Sequence, residues 1–211
     1  MKIFDISLYP NFLDHSELTS TDVCNSIKNY SLEFLQIRNN EAEWEIGFPI
    51  FLTPFYKYVY QNKRVIEQRQ FYEYYMSENK DFFDKNKFSD DILNGLKARI
   101  YRTYPSLVRD LHFSAFLKEN FKDATVIYNR KLDVEEGIDL LIVHDNNYWG
   151  INLYTNTRRA HIGRAKKETR HSKFENVTYV ELPVDFKGSQ QCGSFFLYGE
   201  KEYQEILNTL L

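Results

Sequence analysis

Apolar residues along this chain change their spacing several times, and each spacing predicts an element. From Gly137 the chain reads GIDLLIVHDNNYWGINLYT, an unbroken apolar run over Ile138–Val143, a polar turn, and a returning strand. A short continuous apolar run is the pattern of a strand covered on both faces. Asp145, Asn146 and Asn147 tolerate tight-turn dihedrals, so the two strands are predicted to form a hairpin. ATVIYNRKL, from Ala124, and VTYVELP, from Val177, read as further strands.

Helical spacing appears on either side of these strands. Ser89 followed by Asp90 and Asp91 is a helix start, because a short acceptor side chain caps free amides and acids favour the positive end of the helix dipole. Ile92, Leu93, Leu96 and Ile100 then form one apolar face. Pro105 suits the first turn of a second helix, whose stripe is Leu107, Val108, Leu111 and Ala115. Thr157–Ser172, weakened by Gly163, and the C-terminal EKEYQEILNTLL, through Tyr203, Ile206, Leu207 and Leu210, complete the helices. A helix after the third strand can cross over and lay the fourth strand parallel to it. The prediction is an α/β fold with a mixed sheet flanked by helices.

Before residue 88 the periodicity weakens and Phe, Tyr, Asn, Glu and Gln dominate. Thr21–Asn29 reads as a short helix, Ser31–Ile37 as a strand, and Asn62–Ser77 as a helix through Val65, Ile66, Tyr72 and Tyr75. Two parts are therefore expected: residues 1–88, α-rich and aromatic, serving substrate access, dimer or partner contact, and residues 89–211, the α/β domain. FPIFLTPFYKYVY, from Phe48, is too short to span a bilayer and is interrupted by Pro49, Pro54 and Lys57. It reads as core or as an aromatic contact surface, and no membrane partner is expected. The N-terminal MKIFDISLYP lacks the apolar run of a secretory signal.

Composition narrows the function classes. At 211 residues, 43% hydrophobic and 17% aromatic, the chain is long and apolar enough to bury a core, unlike a disordered segment. A net charge of -3 gives no general attraction for polyanions, so any nucleic-acid surface has to be local. Such a patch exists between Asn156 and Lys173, where Arg158, Arg159, Arg164, Lys166, Lys167, Arg170 and Lys173 face a single acid, Glu168. On a helix Arg159, Lys166, Arg170 and Lys173 fall along one stripe, able to follow a phosphate backbone. Cys24 and Cys192 stand far apart without a C-x-x-C pair, which argues against structural zinc and a disulfide scaffold and fits a reducing, cytoplasmic setting. Gly-rich phosphate loops, HExxH and G-x-S-x-G are missing.

The order helix, three strands, helix, strand, with an acid opening the second strand in EGID, resembles the restriction-endonuclease-like, or PD-(D/E)XK, nuclease superfamily over roughly Pro105 to Leu197. That resemblance implies a metal-dependent phosphodiesterase in which a helix acid, a second-strand Asp and a third-strand Glu-x-Lys hold Mg²⁺ or Mn²⁺ and orient water. Asp139 falls on the second-strand Asp, while Asn152-Leu153-Tyr154 replaces Glu-x-Lys. Strand alternation sends Asn152 and Tyr154 to one face. Asn offers a carbonyl oxygen without charge, and a neutral phenol cannot replace an ammonium. Asp110 or Glu119 is the candidate helix acid, Asp110 also a metal ligand beside Asp139, with Glu135 or Glu136 a nearer alternative. Lys166 or Lys167 is the candidate displaced lysine.

Three functions stay open on these grounds. The first is a nuclease with an atypical site, acting on DNA or RNA in phage defence, restriction, transposition or repair. A catalytically silent nucleic-acid-binding or scaffold subunit is the second, and a protein-interaction domain, with a protein partner or a homodimer, the third.

Overall fold

The computed structural model describes residues 2–12, 17–155, 173–187 and 189–210. It groups into two compact units, Met1–Ser20, Asp110–Gln191 and Phe196–Leu211 in one, Thr21–Arg109 and Cys192–Phe195 in the other. The division passes through a long helix and not before it.

The second unit is helical. Its helices are α1 (Ser20–Ile27), α2 (Leu52–Asn62), α3 (Gln68–Glu78), α4 (Lys80–Asn86) and the first part of α5 (Asp90–Asn120). The helix expected over 62–77 is interrupted: the chain leaves α2 at Lys63, in the left-handed region at φ 51°, where the Lys63 N–H bonds the Val59 carbonyl at 2.9 Å. That bond closes a helix end and turns the chain aside. Val65 and Ile66 still bury fully, but from the connection. Phe51, Pro54, Phe55, Tyr56 and Val59 lie inside, so the Phe48 segment contributes to the core. Phe48, Phe82, Phe83 and Phe88 pack together with ring centroids 5.2 to 6.2 Å apart.

No strand forms at Ser31–Ile37. Phe34 and Ile37 are exposed, and side chains take the backbone groups that a neighbouring strand would have taken. Arg102 donates to the carbonyls of Leu35 (3.4 Å) and Ile37 (2.9 Å), and Gln68 donates to the Glu33 carbonyl (3.1 Å) and accepts from its N–H (2.8 Å).

Ser89 caps α5 as its sequence predicts, its hydroxyl accepting from Ile92 N–H at 3.4 Å. Pro105 does not start a second helix; it lies within α5. Proline cannot donate to the carbonyl four residues back, a defect costing about 3 kcal/mol in a helix interior. Here the carbonyl left over is that of Tyr101, and the buried Gln68 amide donates to it at 2.9 Å. A side chain from α3 thus replaces the missing bond, and α5 continues.

The other unit carries a four-stranded mixed sheet in the order β1 (Thr125–Ile127), β2 (Leu140–His144), β3 (Asn147–Thr155), β4 (Val177–Val184). The predicted hairpin forms: β2 and β3 are antiparallel around Asp145 and Asn146, at φ 48° and 62°. Positive φ at both turn positions matches the twist of the flanking strands, and Asp and Asn tolerate it. The fourth strand pairs with β3 in parallel, as expected from a crossover. Leu140, Leu141 and Ile142 are fully buried, consistent with cover on both faces. One face, with Ile127, Leu141 and Val177, packs against Phe4, Tyr9, Leu132, Ile138 and Phe174. Beyond the sheet lie the short strands β5 (Gln190–Cys192) and β6 (Phe195–Leu197) and the helix α6 (Glu200–Leu210). Among the described residues no helix is long and apolar enough to cross a membrane.

Candidate functional site

Pairing across three strands assembles a polar row on the sheet. Leu140 pairs with Ile151, so one step further Asp139 comes level with Asn152, and Asn152 pairs in turn with Glu181. Residues level with one another on neighbouring strands point to the same face and stand about 5 Å apart. Asp139, Asn152 and Glu181 therefore share the face that carries Leu141, Gly150 and Tyr179.

Each member has a distinct environment. Asp139 Oδ2 accepts from the Leu153 N–H at 2.7 Å, which ties the acid to the end of the β2–β3 ladder. Asn152 is fully buried, and its Nδ2 donates to Glu181 Oε1 at 3.0 Å. Its carbonyl Oδ1 is buried without a hydrogen-bond partner. Turning the amide over would aim that oxygen at the Glu181 carboxylate, so the observed orientation is the favourable one for an ionised Glu181. An orphaned buried acceptor costs about 1–3 kcal/mol. Tyr154, two residues on and level with Pro183, continues the same face half-buried.

The remaining predicted residues are dispersed. Asp110 is half-buried on α5 between the buried Arg109 and Leu111, while Arg102, with its bonds to Leu35, Ile37 and the Glu43 carboxylate, belongs to the other unit. Glu119 is exposed and holds Ser20, accepting from its N–H and its hydroxyl at 2.6 Å each. Glu136 is buried and takes the Tyr9 hydroxyl at 2.9 Å together with the Lys2 ammonium. Burial, reinforced by that bond, pushes the Tyr9 phenol up to about 12. Glu136 thus anchors the N-terminal segment over the sheet. Arg158, Arg159, Arg164, Lys166, Lys167 and Arg170 lie outside the described residues. Lys173, the last of the basic series, is exposed with its ammonium 5.1 Å from the Tyr179 ring centroid. Tyr179 is held by the Phe174 N–H, which donates to its hydroxyl at 2.9 Å. Along β4, Tyr179 precedes Glu181 on the same face, so a cation lies beside the polar row.

Sequence reasoning missed Glu181. Alternation within VTYVELP puts Val177, Tyr179 and Glu181 on one side, but a parallel register across a long connection has no local signal. Among the described residues no cluster of three His, Cys, Asp or Glu side chains is arranged to hold a metal. The row offers two carboxylates and one amide carbonyl, oxygen donors of the type that Mg²⁺ takes when water and substrate phosphate complete its shell. No protein-family model matches the chain, and no curated protein or solved structure matches it.

Proposed function

We propose that this protein acts on nucleic acid through a divalent-cation site at Asp139, Asn152 and Glu181, as a metal-dependent phosphodiesterase of nuclease-like fold working in the cytoplasm. The observation carrying this reading is the Asn152 carbonyl oxygen, buried without a partner in a row with two carboxylates. A bound Mg²⁺ or Mn²⁺ lowers the pKa of a water and offsets charge developing on a phosphate. Asp139 and Glu181 would supply the negative charge that such an ion requires, and the Asn152 carbonyl oxygen would be a neutral ligand to it. Leu153 N–H orients the Asp139 carboxylate, and the Asn152 amide orients that of Glu181. Lys173 and the basic composition of the sequence before it supply positive charge that attracts a phosphate backbone. The succession of helix, antiparallel β1, β2 and β3, and parallel fourth strand supports the restriction-endonuclease-like reading.

The test is cleavage of single-stranded DNA, duplex DNA and RNA with Mg²⁺ or Mn²⁺. Cleavage by the wild type that Asp139→Asn removes, with the fold intact, is the expected result. A wild type inert on all three substrates overturns the enzymatic reading. The nucleic-acid-binding subunit without hydrolysis then takes its place, a reading favoured by the phenol of Tyr154 where an ammonium belongs. That protein binds with an affinity falling steeply as salt rises, and charge reversal at Arg159 and Lys166 weakens it further.

A further inference from the structure

The two cysteines, 168 positions apart in the chain, meet in space. Cys24 lies on α1 and Cys192 ends β5, and the Cys192 thiol donates to the Cys24 carbonyl at 3.3 Å. Gly193 explains the approach. It follows Cys192 at φ 56°, and a Cβ at that position would come within 2.5 Å of the Lys28 carbonyl oxygen. Only glycine allows this backbone to lie so close to the end of α1. Both thiols are free and half-buried, so a small oxidant reaches them.

We propose that Cys24 and Cys192 are an oxidation site that closes to an intrachain disulfide on exposure to peroxide. Peroxide first converts one thiol to a sulfenic acid, releasing water. The sulfur of the second thiol then attacks the sulfenic sulfur, the S–O bond breaks, and a second water leaves with the thiol proton. Two thiols and one hydrogen peroxide thereby give one disulfide and two waters. Burial, with the Cys192 thiol as a further cause, pushes the Cys24 thiol up to about 12. Cys24 is therefore protonated at neutral pH and a poor nucleophile toward peroxide on its own. In a reducing compartment such a bond is transient and is undone by thiol exchange.

The experiment treats the full chain with hydrogen peroxide and maps its peptides without reduction. The expected product is one peptide pair joined through Cys24 and Cys192 within a monomer, with both titratable thiols lost and both regained in dithiothreitol. Closure in native buffer is expected to exceed that in concentrated urea by roughly tenfold or more, because only the fold holds the sulfurs together. In Cys192→Ser, Cys24 keeps its thiol under peroxide exposure that consumes both in the wild type. Unlinked sulfinic acids, a disulfide between two molecules, or equal closure rates in buffer and urea would overturn the proposal.

Discussion

Two buried amides, one in each unit, behave in opposite ways. Gln68 is surrounded by backbone and spends its whole amide on it, bonding the Glu33 N–H, the Glu33 carbonyl and the Tyr101 carbonyl. Asn152 bonds one carboxylate and leaves its carbonyl oxygen unpartnered. Full pairing rigidifies a fold, whereas an orphaned acceptor between acids is a cost that folding alone does not require. The contrast separates an amide spent entirely on the fold from one whose carbonyl oxygen is left over.

The largest effect is expected where the amide is fully paired. Gln68→Leu should cost roughly 3–4 kcal/mol in urea unfolding, since it strands the Tyr101 carbonyl inside the protein. Adding Pro105→Ala restores a helix N–H to that carbonyl and should recover part of the loss; strict additivity of the two changes would break the account of Pro105.

His112 is a third buried polar group, with an atom left unpartnered. It is buried, its Nδ1 is unpartnered, and burial pushes its pKa down to about 4 despite the opposing charge of Glu119. As pH falls below the ordinary value of 6.5 the unfolded chain gains a proton that the folded ring refuses until about 4. The stability contributed by the neutral ring is present above 6.5 and declines across that window by roughly 3 kcal/mol. His112→Phe should flatten this part of the pH–stability curve. An orphaned nitrogen against Phe116, without an acid in hydrogen-bonding distance, thus marks a buried neutral base and not a cation site.

Smaller effects are expected in the polar row. Asp139→Asn keeps an oxygen for the Leu153 N–H, so stability should change by less than about 1 kcal/mol while metal-dependent cleavage disappears. Asn152→Leu should be the mildest for stability, within about 1 kcal/mol of wild type, because it removes an unsatisfied acceptor. A large loss on Asn152→Leu would show that the amide is needed for folding and would erase the distinction from Gln68.

Legibility in the sequence followed the range of the interactions. The β2–β3 hairpin and the Ser89 cap were readable because a turn and a cap are decided by residues within a few positions. The parallel β4 was also readable from element order, but its register was not, and Glu181 was lost with it. The strand expected at Ser31–Ile37 and the break expected at Pro105 failed for one shared reason. Side chains distant in sequence, Arg102 and Gln68, take over backbone groups that local rules assign to a neighbouring strand or to a helix N–H. Asp139 and Asn152 were singled out through resemblance, whereas the meeting of Cys24 and Cys192 had no local trace.

The Gln68–Tyr101 bond also bears on how the helical unit opens. A gap in the ladder of α5 that is closed only from α3 cannot be exposed to solvent without releasing the first turn of α3. Amide protons around residue 101 and those after residue 68 should consequently exchange as one cooperative block, with a common protection factor, while the capped start of α5 frays independently.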